Sequence, residues 1–292
     1  MLINSAGFLA AMLVLAPILG TQPYNTAYSS ISSTIYDNIQ KQFDNLMPFE
    51  VPQIDMNSKD NTQSSDESES QSAQMAATTD PSCNTNLYDN FDSTYFLGEG
   101  KTSPNGEWKN QYSGYGSTGV KKVDWRTVFY LSPKVSTSPS ETHAALVKSV
   151  DQFCNFTMDV DINTVKQLRK NSPPNKWEVG WIDFRYVDKF HHYSLLFKPN
   201  GIELGKKDCD TCTNPVDGQK FLKTKSTPKM TLNTWNHIKI DMVGNHIKVF
   251  INGALAIDYI DTTMSPKLAK GSIAMYSEDA YVLYNNMAIT AK

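Results

Sequence analysis

No stretch of this 292-residue chain stays apolar for the ~20 residues a membrane-spanning helix needs. The apolar run from Gly7 to Gly20 (GFLAAMLVLAPILG) is shorter and reads as the core of an export signal. Its fit is imperfect, because no Lys or Arg precedes it and no clean small-x-small cleavage site follows. A buried helix or an uncleaved anchor is the alternative. Basic clusters are also missing: 27 Lys and Arg stand against 30 Asp and Glu, for a net charge of −3. Without a basic stripe, nucleic acid is excluded as the expected partner, and so is a polybasic membrane patch. There is no Gly-rich phosphate loop and no nucleophile elbow. Cysteine is scarce, with four residues: Cys83, Cys154, Cys209 and Cys212. The Cys209-Asp-Thr-Cys212 pair lacks the second C-x-x-C or His pair that a zinc knuckle wants. Disulfides are therefore the expectation, and four cysteines allow three pairings. A local Cys209–Cys212 bridge with Cys83–Cys154 as the second is preferred. The Asn155-Phe156-Thr157 sequon adds weak support for export.

Residues 57–82 contain no aromatic and no β-branched apolar side chain, and are dense in Ser, Asp, Glu and Gln. Such a segment cannot bury enough apolar surface to offset its ordering entropy. The reading is a signal or short anchor over 1–20, a low-complexity linker over 21–82 and a folded domain over 83–292. Within the linker, Ser33–Leu46 has the spacing of a short helix.

From Cys83 onward the texture is strand-like. Phe156, Met158, Val160 and Ile162 alternate with Thr157, Asp159 and Asp161. The same period of two runs through Trp181–Tyr186, Tyr193–Lys198, Trp235–Val243 and His246–Ile251. Asn200-Gly201, Gly244-Asn245 and Asn252-Gly253 supply tight turns between them. Ile162–Lys170 is the one helix-like stretch. Many short, evenly spaced strands predict an all-β, antiparallel two-sheet sandwich or a barrel.

Several segments resemble a known family. Phe184-Arg185-Tyr186, His192-Tyr193 and Asn200-Gly201-Ile202-Glu203-Leu204 are similar to the concanavalin A-like lectin/glucanase superfamily. More narrowly, they are similar to laminin-G-like and 3-keto-disaccharide hydrolase-type jelly rolls. Thr234–Ile238, His246–Gly253 and Gly271–Tyr276 look like three further strands of that pattern. Ala280–Met287 resembles its closing strand, with Asn285 where the pattern usually carries Asp. The resemblance implies a jelly roll and a carbohydrate partner, in a secreted or cell-surface protein. Its motifs are structural, so it speaks to fold more than to chemistry.

A sugar groove would use outward side chains on the central strands. Parity places Trp177, Trp181, Asp183 and Arg185 on one face, with His192 outward on the next strand. Asp159 joins them if its strand is a neighbour. The expected carbohydrate-binding set is thus Trp177, Trp181, Asp183, Arg185, His192 and Asp159, together with an adjacent His191 that points the other way. The competing reading is that outward residues of a sheet are polar because they are wet. No catalytic motif is recognisable: the E-x-D-x-x-E or E-x-D-x-E strand of jelly-roll glucanases is absent, and Asp159-Val160-Asp161 is a poor match. Glycan cleavage by a cross-strand acid–base pair, such as Asp159 with Asp183 or His192, stands as one alternative, and a structural or adhesive cell-envelope protein as another. No organic cofactor is expected. A structural calcium ion would draw on the hard oxygen donors Asp89, Asp92 and Asn286.

Overall fold

The computed structural model describes Cys83, residues 85–214 and residues 217–292. The export-signal segment, the linker and the Ser33–Leu46 helix lie outside the described residues. Among the described residues, sixteen strands form two antiparallel sheets packed face to face. The larger sheet has nine strands. In spatial order eight of them are β14 (Ala254–Ile260), β13 (His246–Ile251), β12 (Asn236–Val243), β7 (Phe156–Gln167), β16 (Ala280–Ala291), β5 (Arg126–Ser132), β4 (Ser117–Val123) and β2 (Tyr95–Phe96). The ninth, β1 (Leu87–Asp89), pairs with the far end of β16. The second sheet has seven strands. These are β11 (Gln219–Lys225), β10 (Gly201–Asp208), β9 (His191–Lys198), β8 (Gly180–Asp188), β15 (Ser272–Glu278), β6 (Ala144–Ser149) and β3 (Trp108–Tyr112). This is the two-sheet sandwich that the alternation predicts, of the jelly-roll kind that the resemblance implies.

The inward side chains of both sheets meet in one apolar cluster. Phe156, Met158, Val160, Ile238, Ile240 and Val249 from the larger sheet face Ile182, Phe184, Tyr193, Leu195 and Phe197 from the smaller. Each fully buried side chain of this size stabilises the fold by ~1.5–3 kcal/mol.

Two local expectations change. Ile162–Lys170 is not helical: β7 runs on to Gln167, pairing Thr164 with Val282 and Lys166 with Tyr281. A register shift between Tyr281 and Val282 breaks the strict alternation there, which imitates a helical spacing. The turn between β9 and β10 sits one residue early, on Pro199-Asn200, because Gly201 already pairs with Lys198. Asn252-Gly253 does form the expected turn, with φ of 50° and 82°. Both bridges of the preferred pairing are present, Cys83–Cys154 and Cys209–Cys212. The first spans 71 residues, a loop whose closure is worth ~2–4 kcal/mol.

Candidate functional site

β8 is the central strand of the seven-stranded sheet, and its outward residues set the site. Register places three cross-strand rows on this face. The middle row runs Gly205–Ser194–Asp183–Ala274–Lys148. Beside it runs a bulky row, Glu203–Leu196–Trp181–Tyr276–Leu146–Tyr112. On the other side Lys207 pairs with His192, whose ring packs against Tyr186 at 5.4 Å. Neighbouring side chains in such rows stand ~4.5–5.5 Å apart. Asp183 is therefore flanked along its own row by glycine, serine and alanine, with taller side chains on both sides. The sequence does this by setting small residues at outward positions of β10 and β9 on one side of β8 and of β15 on the other.

The bulky wall is held together internally. The Trp181 and Tyr276 rings lie 4.8 Å apart, and Trp181 Nε1 donates to the Trp177 carbonyl at 2.9 Å. Trp177, Val179, Trp181 and Leu196 form a separate apolar cluster outside the main core. Both tryptophans are buried rather than exposed platforms. The Tyr276 hydroxyl donates to Glu278 Oε2 at 2.9 Å.

Burial dominates the electrostatics. Asp183 is 3% exposed, and its Oδ1 has no hydrogen-bond partner among the described residues. Burial pushes its carboxyl up to about 7, against the pull of Ser194 and the Lys207 charge. Glu278 is likewise pushed up to about 7, by burial and by the neighbouring Asp279 charge, with Tyr276 opposing. His192 is pushed down to about 3, first by burial and then by Lys207. Its Nδ1 faces the Asp188 carbonyl at 2.9 Å, so Nδ1 carries the proton and Nε2 is left as an acceptor. Burial also lowers Lys207, while Asp183 and Glu278 hold its charge in place. The face thus combines two carboxyls that change charge near neutrality with aromatic walls and a neutral imidazole.

Of the six residues expected from sequence, Trp181, Asp183 and His192 share this face, and Trp177 packs behind Trp181. Arg185 does not join them. It sits at φ 50° where the β8 pairings slip between Phe184 and Asp188, so its side chain leaves the alternation. Arg185 is 1% exposed, and its guanidinium donates to the Leu268 carbonyl at 2.6 Å. Burial lowers it to about 10. Gly271 allows this bulge, since a Cβ there would come within 2.3 Å of the Arg185 backbone. Asp159 is on the wrong sheet. It and Asp161 stand on the outer face of β7, where His237 bridges them at 3.1 and 2.9 Å. An acid–base pairing of Asp159 with Asp183 or His192 is therefore not available. His191 does point away from His192, and bonds Asp188 and Asp210 at 2.9 Å each.

Tyr112, Tyr186, Lys207, Tyr276 and Glu278 complete the face and were not among the expected residues. The signal for two of them was in the sequence: with Ile273 and Met275 inward, parity puts Tyr276 and Glu278 outward. Among the calcium donors, Asp89 accepts from Phe91 N, Asn105 and Trp108 Nε1, and Asn286 donates to Asp161. Among the described residues, no group of three or more His, Cys, Asp or Glu is arranged to hold a metal.

Three solved structures are similar to the chain. A carbohydrate-binding module, CBM66, from Bacillus subtilis is 15% identical, with TM-score 0.45 over 63% of this chain and 96% of its own. A Bacillus licheniformis β-glucanase is 12% identical, with TM-score 0.46 over 71% and 98%. An alginate lyase of polysaccharide lyase family 7 is 16% identical, with TM-score 0.42 over 63% and 94%. No curated protein matches the chain. Residues 89–290 match the model of the 3-keto-alpha-glucoside-1,2-lyase-like domain, and the chain belongs to that family.

Proposed function

We propose that the outer face of the seven-stranded sheet binds a glycan, in a secreted or cell-surface protein. One observation carries this reading. The cross-strand row of small residues around the buried Asp183 runs between a row of aromatic side chains and a polar one. Sugar rings pack their C–H faces on aromatic side chains and present hydroxyls to carboxylates, imidazoles and amines, the mixture that ligand sites favour. The buried, unpartnered Asp183 Oδ1 is an acceptor that a sugar hydroxyl would satisfy. The two disulfides favour an oxidising compartment. A partner on the cell envelope is compatible with this face, and nucleic acid is not expected.

Cleavage is the second reading, favoured by the two carboxyls pushed up to about 7, Asp183 and Glu278. A group poised there can take a proton and give it back at working pH. The family description speaks of lyase chemistry on a 3-keto-α-glucoside. In such an elimination a base takes the proton next to the ketone, the glycosidic C–O bond breaks, and an acid protonates the leaving oxygen. Asp183 and Glu278 are the groups on this face suited to those roles.

A glycan array read alongside release of reducing or unsaturated ends tests both readings. At least one glycan is expected to bind, with the Trp181→Ala variant weakened about tenfold or more. No binding to any glycan sinks the proposal. Product release that falls ~10²–10⁴-fold in Asp183→Asn, with binding retained, selects the cleavage reading.

A further inference from the structure

The turn between β4 and β5 carries a second group of aromatic and charged side chains, on the nine-stranded sheet and away from the Asp183 face. Trp125 at its tip is 82% exposed, and Asp124 before it adopts φ 53°. Arg126 follows, its guanidinium carbon 4.2 Å from the Trp125 ring centre and 5.6 Å from that of Trp235, the residue before β12. These residues with Val123 and Val128 line a pocket of about 210 Å³.

Folding does not account for this arrangement. Exposed Trp125 contributes nothing to the core, and its indole is a large apolar surface left in water. Arg126 is held against both rings, an attraction of ~0.5–1 kcal/mol at an exposed site that presets their spacing. Among the described residues, no hydrogen bond or ion pair engages the Asp124 carboxylate or the Arg126 guanidinium. The site therefore offers two aromatic surfaces, one hydrogen-bond acceptor and one set of donors, with opposite charges that cancel. That set suits a neutral polyhydroxy ring better than an anion or a cation. The pocket is smaller than the roughly 300–1,000 Å³ that encloses a drug-sized ligand, which fits one ring lying across the surface. A protein partner would need ~800 Å² of matched surface, far more than two indoles and two valines bordered by charge provide.

We propose that Trp125 and Trp235, with Asp124 and Arg126, form a second carbohydrate-contact site that takes one ring of a neutral oligosaccharide. It stands on a different sheet from Asp183 and does not depend on what the Asp183 face binds.

The chain has five tryptophans, so its indole N–H groups give five nuclear magnetic resonance signals, assignable with Trp125→Phe and Trp235→Phe. The probes are cellohexaose, maltohexaose, xylohexaose and mannohexaose, with an oligogalacturonate as the acidic counterpart. At least one neutral probe is expected to shift the Trp125 and Trp235 signals, in the native chain and equally in Asp183→Asn. Trp125→Ala is expected to weaken that binding about tenfold, with unchanged thermal unfolding. The proposal is overturned if all four neutral probes leave both signals unmoved. It is equally overturned if only the acidic probe moves them, or if their shifts vanish in Asp183→Asn.

Discussion

On the nine-stranded sheet, the outward side chains of β7 and β12 are half-buried or exposed: Thr157, Asp159, Asp161, His237, Lys239 and Asp241. On the seven-stranded sheet, the outward Asp183, His192, Ser194, Lys198, Glu203 and Glu278 are all buried. Both sets are polar and both follow the same alternation, yet water reaches one and hardly touches the other. In the wet set, partners trade one solvated contact for another and little stability depends on them. In the dry set every charge must be neutralised, paired or pushed off its ordinary pKa. Lys198 and Glu203 pair at 2.6 Å, His192 stays neutral, and Asp183 and Glu278 hold their protons to near neutrality. Polarity retained on a dry face is what sets the Asp183 face apart as the candidate site.

Paired substitutions break this contrast most sharply. Lys198→Met leaves the Glu203 carboxylate buried without its cation, and is expected to cost about 3–5 kcal/mol in urea unfolding. Lys239→Ala removes a half-exposed partner of Asp159, 3.9 Å away, and is expected to cost under about 1 kcal/mol. Equal costs for the two would erase the distinction between the faces.

The next effect is opposite in sign. Asp183 has its folded pKa raised from 3.8 to about 7, so the folded state binds the extra proton between those values. The carboxyl's contribution to stability therefore falls as pH rises from about 4 to 7. Asp183→Asn removes that dependence and is expected to stabilise the protein by about 2 kcal/mol at pH 8, with the gain gone by about pH 4. The same variant is expected to lose glycan binding or turnover, the usual trade between stability and a site. Denaturant unfolding at the two pH values checks it, and a loss of stability at pH 8 would contradict it.

The smallest effect belongs to the wet face. Burial works against a charged His237, but its hydrogen bonds to Asp161 and Asp159 outweigh this and raise its pKa above 6.5. Its contribution is thus fully present below about pH 6.5 and lost as pH rises through the raised value. With the side chain 48% exposed, His237→Gln is expected to flatten that slope by less than about 1 kcal/mol between pH 5 and 9.

Much of the fold is legible in the sequence. Phe156, Ile182, Phe197 and Ile240 read as inward from period two alone, and all four meet in one core. Asn252-Gly253 marks its hairpin because both residues need positive φ. Three members of the outer face, Trp181, Asp183 and His192, are also readable, because their strands alternate without interruption up to Phe184. Arg185 is not, because a bulge is a pairing event between strands and leaves little trace in one strand's pattern. Asp159 is not, because two consecutive strands of a sandwich can belong to opposite sheets.

Which side chains turn inward, and where the tight turns fall, follows from the sequence. Those properties depend on a residue and its immediate neighbours, through the pleat and the φ a turn demands. Tertiary structure was needed to decide that β7 and β8 lie in different sheets, that Lys207, Tyr276 and Glu278 gather round Asp183, and that this face is dry. Those outcomes rest on pairings between residues tens of positions apart, and on the loss of water that follows from them.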